Sequence, residues 1–388
     1  MKHTLVQDTI RNKDIDTLIE WLKKYPRLTK GPLTIEFEKI WAEWIGTKHA
    51  VFVNSGSSAN LLTLSALIES NKIKRNSKVV VPALSWATDL APVMQLELEP
   101  VLCDCNFEDL SIDLSHFEEI CLNEKPSCLI LVSVLGLVPN MKKLLEICRK
   151  YNVILVEDTC ESFGSLYHQK KLGSFGIAST FSTYFGHHLS TIEGGIICTN
   201  DTEFYNILIS MRSHGWLRDC TDDFRKFKNE KWKVDNFSSQ YTFHYPGYNL
   251  RSTDLQAFLG IEQMKYADKV CSNRNVNFKN YLKFLNNDIW KPKIKKECFV
   301  SNFCYPIICK NRKELVDLLT ENNIESRPLI AGSMGNQPFF IKRYGSNQDL
   351  KNASIIHDHG IYIPNNHRMK EKDVKFICEK INSVIKPL

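Results

Sequence analysis

The sequence predicts an α/β protein, with a mainly parallel sheet in a large domain (residues 1–253) and a smaller α+β domain (residues 254–388). Three features predict it. Short runs rich in Val, Ile and Leu alternate with helical stretches between residues 50 and 158, the pattern of a parallel sheet covered on both faces. Ser57, Trp86, Asp158 and Ser182 each fall at or just past the carboxyl end of such a run, where sheets of this kind bind ligands. Beyond residue 254 the alternation gives way to a long helical stretch and then to mixed strands and helices. At 388 residues the chain is long enough for two domains, and its 43% hydrophobic content is ordinary for a globular protein.

Taken in order, an amphipathic helix is expected over 15–25, ending before Pro26. Leu28-Thr29-Lys30-Gly31-Pro32 reads as a turn. Thr34 is then expected to cap a helix reaching Trp44, with Ile35, Phe37, Ile40, Trp41 and Trp44 at helical spacing. A strand at 50–53 leads through Asn54-Ser55-Gly56-Ser57-Ser58-Ala59-Asn60 into an apolar helix ending near 68. Strands are expected at 79–82, 100–104, 128–135 and 153–158, with helices at 85–96, 114–121 and 141–151 between them. Gly195-Ile196-Ile197-Cys198-Thr199 reads as a strand and 203–211 as a helix. Residues 214–245 read as irregular, and a loop of that length is usually functional or oligomer-forming. A helix over 254–285, a strand pair near 303–308 and helices at 313–321 and 373–385 complete the chain.

Bulk properties exclude several classes. The formal net charge of +6 is spread out, and local groups such as Arg225-Lys226-Phe227-Lys228 or residues 291–296 read as solvated faces. No basic and aromatic array of the kind that stacks single strands accompanies them, so no nucleic-acid partner is expected. The first fourteen residues lack the apolar core of a secretory signal. The longest apolar run, 128–138, is too short to span a bilayer, so no membrane partner is expected either. Thirteen cysteines form no CxxC pair, the nearest spacing being Cys103-Asp104-Cys105. Free thiols and a cytoplasmic setting are the expectation, with no metal site.

Some residues suggest chemistry by position. Gly56, Ser57 and Ser58 join a strand to a helix, where small side chains admit a ligand and free N–H groups attract an anion. A phosphate cradle and a plain helix cap are equally compatible with that stretch. Asp158 ends an apolar strand, where a carboxylate is costly unless paired; it faces a ligand or caps a helix. Trp86 offers a flat face to an aromatic ligand or belongs to the core. Between Thr180 and Asn200 the chain gathers Ser182, His187, His188 and the turn Glu193-Gly194-Gly195. A histidine with a pKa near working pH can take up a proton and return it.

In this order the motifs resemble the sugar aminotransferase family of fold-type I pyridoxal-phosphate proteins. The matching stretches are Thr29-Lys30-Gly31-Pro32 with Phe37-Glu38, Gly56 to Asn60, Asp158 to Gly164, the EGG turn, Ser213 to Arg218 and Tyr248-Asn249-Leu250-Arg251. The resemblance implies a fold-type I aminotransferase-like architecture holding pyridoxal or pyridoxamine 5'-phosphate. It assigns the cofactor's phosphate to Gly56, Ser57, Ser58 and Ser182, its ring face to Trp86, its ring nitrogen to Asp158 and the neighbourhood of its ring hydroxyl to Glu161. Family members usually have glutamine at that last position. Asn249 is implied to reach the cofactor phosphate of a neighbouring subunit, hence a homodimer with shared active sites. His214, Arg218 and Arg327 are implied to bind the substrate, a nucleotide-linked sugar.

The family's cofactor-binding lysine lies six residues before the glutamate of EGG, and here that residue is His187. An imidazole cannot form an imine with an aldehyde. A dehydratase branch of the family shares this swap, together with a second histidine; where that branch has serine before the first histidine, this chain has Gly186. The resemblance therefore implies removal of the C3 hydroxyl from a nucleotide-linked 4-keto-6-deoxy sugar, a GDP-linked one foremost. The catalytic residue would be His187, and glutamate would restore the amine form of the cofactor. A sugar 4-aminotransferase that works without lysine, and a non-catalytic regulatory member of the family, are the alternatives.

Overall fold

In the computed structural model, which describes residues 2–345 and 350–388, seven strands form one sheet. They are β1 (His49–Val53), β2 (Lys78–Pro82), β3 (Glu99–Cys103), β4 (Cys128–Val132), β5 (Ile154–Asp158), β6 (Ala178–Ser182) and β7 (Gly195–Thr199). Their order is β1-β7-β6-β5-β4-β2-β3. Only β7 runs against the rest, pairing antiparallel with both β1 and β6. The six parallel strands consequently end on one edge, and that edge carries Val53, Pro82, Asp158 and Ser182. Strands β2 and β4 are wholly apolar and buried beyond their first residue, as a sheet covered on both faces requires.

The helices that matter for the site are α1 (Asn12–Leu22), α2 (Pro32–Ile45), α3 (Gly56–Glu69), α4 (Ala87–Gln95), α5 (Asp254–Met264) and α6 (Ala267–Phe284). Helix α2 starts two residues before the expected cap. Its free N–H groups are met from a distance: Asp254 accepts from the N–H groups of Gly31 and Thr34 and from the Thr34 hydroxyl at 2.7–2.9 Å. Thr34 is thus a buried contact and not the cap. Gly31 is required there because a Cβ would sit 2.7 Å from Asp254 Oδ2.

Other expectations need correction. The single helix over 254–285 breaks at Lys265-Tyr266, where the Arg11 guanidinium lies 3.4 Å above the Tyr266 ring. The segment 214–245 is not wholly irregular; it holds a helix, Asp222–Trp232, which buries no residue and so shows no apolar periodicity. The strand expected over 128–135 ends at Val132 and yields to a turn at Val134–Gly136. The strand pair near 303–308 is a single strand, β8 (Tyr305–Ile308). It pairs with β10 (Gly360–Ile363), which also takes the short β9 (Arg327–Pro328). Helices Pro338–Tyr344 and Lys351–His359 lay outside the sequence reading.

The start of the chain is laced into the C-terminal sheet region. Lys2 and His3 N–H both donate to Asn323 O at 3.1 Å. Leu5 N–H donates to Glu325 Oε2 at 2.9 Å, and Asn366 Nδ2 to Thr4 O at 2.8 Å. Among the described residues no helix is long and apolar enough to cross a membrane.

Candidate active site

The site is built on the carboxyl edge of the sheet. At the end of β1, Ser55 caps α3, its Oγ accepting from Ser58 N–H at 3.1 Å. Gly56 and Ser57 begin the helix, so their N–H groups have no intrahelical carbonyl to reach. A Cβ on Gly56 would lie 2.8 Å from Ser182 Cβ and 3.2 Å from Cys160 Sγ. Glycine therefore leaves a concave backbone surface facing Ser182, at the helix terminus where an anion is stabilised.

The EGG turn sets the distance between β1 and β6. Gly195 faces Val53 on one side and Ser182 on the other, and a Cβ there would meet Ser55 O at 2.1 Å. A Cβ on Gly194 would lie within 2.4 Å of the hydroxyls of Thr183 and Thr191. The loop between β6 and β7 is closed by Thr183 N–H to Gly194 O and by Thr191 N–H to Thr183 O, both 2.9 Å. Within it, His187 N–H donates to Tyr184 O at 2.9 Å.

His187 is half-buried, its ring tilted against Phe303 with centroids 5.4 Å apart. Its Nδ1 is covered and has no hydrogen-bond partner. Desolvation pushes the imidazole down to about 4; the Asp158 charge works against that shift, and the nearby Arg274 guanidinium adds to it. The expectation of a histidine titrating near working pH is thereby corrected: the protein around the ring holds it neutral. His188 is buried, with Nε2 3.0 Å from Ser301 O and its ring near Phe163 and Phe303. It faces the packing between sheet and C-terminal region, while His187 faces the cleft.

Asp158 is 7% exposed. Its Oδ2 accepts from Asn60 Nδ2 at 2.7 Å and its Oδ1 from Cys160 N–H at 2.9 Å. Glu161 accepts from Leu135 N–H at 2.8 Å, and burial, the largest cause, raises it to about 7. In its protonated form it can donate as an amide would. Trp86, between β2 and α4, is 54% exposed; its face is open, and its backbone N–H is held by Asp89 Oδ2 at 3.0 Å. Arg327 pairs with Glu325 at 2.9 Å and lies beside Tyr362, which in turn neighbours Glu161.

The structure thus gathers Gly56, Ser58, Ser182, Asp158, Glu161 and His187; Trp86 follows the end of β2, and Arg327 reaches Glu161 only by way of Tyr362. Asn249, His214 and Arg218 lie on the outer side of β1, and none of them hydrogen-bonds to the Asp158–His187 group. Asn54 N–H donates to Leu250 O at 3.0 Å, Val53 bridges Arg251, and Ser213 bridges Asn249. Arg218 and Arg251 line a cavity of about 400 Å³ with Arg27, Thr29, Lys30 and Asp219. Sequence reasoning missed Asn60 and Asp89 as site residues. Asn60 stands in the Gly56–Asn60 match, and Asp89 follows Trp86 by three residues, the spacing of a capping box.

A cofactor with a phosphate, a flat ring and a basic ring nitrogen fits the residues present. The helix terminus with its glycine cradle, the open Trp86 face and the buried Asp158 each match one part of it.

Comparison with known proteins agrees with this geometry. The sequence profile of the DegT/DnrJ/EryC1/StrS aminotransferase family matches residues 8–382. The GDP-4-keto-6-deoxy-D-mannose 3-dehydratase of Yersinia pseudotuberculosis is 32% identical over 357 residues, covering 89% of this chain and 90% of that protein. A crystal structure of GDP-4-keto-6-deoxymannose-3-dehydratase with a trapped PLP–glutamate geminal diamine superposes with a TM-score of 0.88 at 28% identity, covering 97% of this chain and 99% of the other. A histidine-to-asparagine mutant of such a dehydratase, with bound GDP-perosamine, superposes with a TM-score of 0.87 at 28% identity, covering 98% and 100%.

Proposed function

The chain belongs to the DegT/DnrJ/EryC1/StrS aminotransferase family, and from that premise we propose that it is a pyridoxamine-phosphate-dependent nucleotide-sugar 3-dehydratase. Its substrate is GDP-4-keto-6-deoxy-mannose, its product the 3-deoxy-4-keto sugar, and glutamate restores the cofactor's amine. The observation that carries the reading is His187. A neutral imidazole faces the cleft beside Asp158, at the position from which the family's lysine would tether the cofactor. The relatives' names and bound ligands support the substrate class.

When bound, the cofactor supplies an amine that condenses with the sugar's keto group and an electron-poor ring that accepts the charge left by proton removal. The chain supplies the rest. The Gly56 and Ser57 N–H groups and the Ser58 and Ser182 hydroxyls hold the phosphate. Trp86 covers the ring face, and Asp158 keeps a proton on the ring nitrogen. Glu161 donates toward the ring hydroxyl while protonated. His187, neutral at rest, takes up a proton at the reacting centre and delivers it to the departing C3 oxygen. No side-chain amine is present at that position to hold the cofactor covalently, so the nitrogen ends as ammonia and the sugar keeps its ketone.

Arg218 and Arg251 suit a diphosphate through their fork geometry. Trp86, Tyr184, Phe185 and Ile192 form an exposed apolar rim around the cleft, each 42–54% exposed. A second copy of the chain that covers this rim and brings Asn249, His214 and Arg218 to it makes the homodimer with shared sites. Incubating the protein with cofactor, glutamate and a panel of GDP-, CDP- and dTDP-4-keto-6-deoxy sugars tests the reading by product mass. Loss of the C3 oxygen with the GDP sugar is expected; gain of nitrogen without loss of that oxygen makes it an aminotransferase.

A further inference from the structure

Asp89 on α4 and Asp158 at the end of β5 are both buried, 1% and 7% exposed. Their carboxyl groups lie within hydrogen-bonding reach of one another. Neither is in an ion pair with lysine or arginine among the described residues. Both accept from one amide: Asn60 Nδ2 is 3.3 Å from Asp89 Oδ1 and 2.7 Å from Asp158 Oδ2. The amide's orientation is fixed, because its Oδ1 accepts from the Thr180 hydroxyl at 2.6 Å. Its two hydrogens face a third acceptor as well, Thr88 O at 3.2 Å, so the group of acceptors is one donor short. Two adjoining buried carboxylates with no cation cannot both remain ionised.

We propose that Asp89 carries the missing proton and donates it to Asp158, which makes Asp89 a positioning residue for the carboxylate that meets the cofactor's ring nitrogen. The proposal rests on the reading of Asp158 given above. The same side chain accepts from Trp86 N–H at 3.0 Å. One neutral acid therefore fixes both the turn that presents the ring-covering indole and the carboxylate at the ring's edge. It also answers the charge problem in the free protein: the pair keeps one negative charge for a cationic nitrogen, without a lysine or arginine competing for it.

The groups facing Asp89 agree with this assignment. Asp158 and Glu161 on the β5 side both disfavour a second negative charge, and burial pushes Asp89 well above the usual carboxylate range. Cys160 lies on the same side and is itself pushed up. Asn60 and Thr180 are neutral, and His187 faces Asp158 rather than Asp89.

The test is infrared difference spectroscopy on the protein with and without added pyridoxamine phosphate. It is run in a Glu161→Gln background so that Glu161 contributes no signal. The carbonyl band of a protonated carboxylic acid is expected at neutral pH and is expected to vanish in Asp89→Asn. The asparagine can donate as the acid does, so it should bind pyridoxamine phosphate within about threefold of its parent, whereas Asp89→Ala should lose roughly tenfold or more. A raised native pKa means that the parent loses stability relative to Asp89→Asn as pH rises from about 4. The asparagine variant should therefore melt higher at pH 7, with the gap closing toward pH 4. If the band survives Asp89→Asn, or if that variant loses the cofactor as badly as the alanine variant, the proposal is overturned. If Asp158→Asn leaves the bound cofactor's absorbance unchanged, the reading of Asp158 falls, while loss of the band still assigns the proton to Asp89.

Discussion

At the scale of single residues, the sequence located His187 but could not reveal its state. The spacing to Glu193 is local and readable. The ring's lowered pKa comes first from burial, in which Phe303 takes part, and to a smaller extent from Arg274; both residues lie more than eighty positions later in the chain, and no local pattern reports such contacts. Replacing His187 by asparagine should lower dehydration by about 10²–10⁴-fold while leaving cofactor binding, measured by absorbance, intact. If the neutral imidazole is the base, the acid limb of kcat/KM should fall nearer pH 4 than the ordinary histidine value. A limb at the ordinary value would mean that the cleft is wetter than the structure indicates. Glu161 acts at the other end of the pH range. Its carboxyl, raised to about 7, donates below that pH and loses the proton above it, so activity should decline on the alkaline side near 7. Glu161→Gln should move that decline to higher pH. Because the native carboxyl is raised above its unfolded value, wild-type stability is lost as pH rises toward 7. The glutamine variant should accordingly melt higher at pH 8.

At the scale of elements, the strands that carry the site were legible because they are short, apolar and separated by helices of ordinary length. Ser57, Trp86, Asp158 and Ser182 lie at or just past the carboxyl ends of those strands, as the pattern led one to expect. What failed has two causes: a partner far away in the chain, or no buried face at all. Thr34 looked like a cap, yet the cap is Asp254. Residues 360–363 form a strand only because 305–308 and 327–328 lie beside them. The exposed helix Asp222–Trp232 has no apolar face to announce it. The EGG turn shows how an element constrains the site. Gly195→Ala would drive a Cβ into Ser55 O, and backbone cannot yield as a side chain can. That variant should lose about 1–3 kcal/mol of stability by urea titration, with a disproportionate loss of cofactor affinity because the α3 terminus shifts with it.

At the scale of the whole molecule, the site residues fall into two groups on either side of β1, one around Asp158 and His187 and one around Arg218 and Asn249. If the second group serves the partner's cleft, two inactive variants should repair each other. Mixing His187→Asn with Arg218→Ala, after subunit exchange, should restore activity at about one quarter of the sites, because only mixed dimers contain an intact one. No recovery would place both groups in the same subunit's cleft. A different consequence follows from the first residues, which are fastened to Asn323, Glu325 and Asn366. A growing chain leaves the ribosome from its amino end, and at about 5–20 residues per second roughly 16–64 s separate the emergence of Lys2 from that of its anchor Asn323. Residues 2–5 must wait undocked until residues 323–366 have been made, and that closure of the fold comes late.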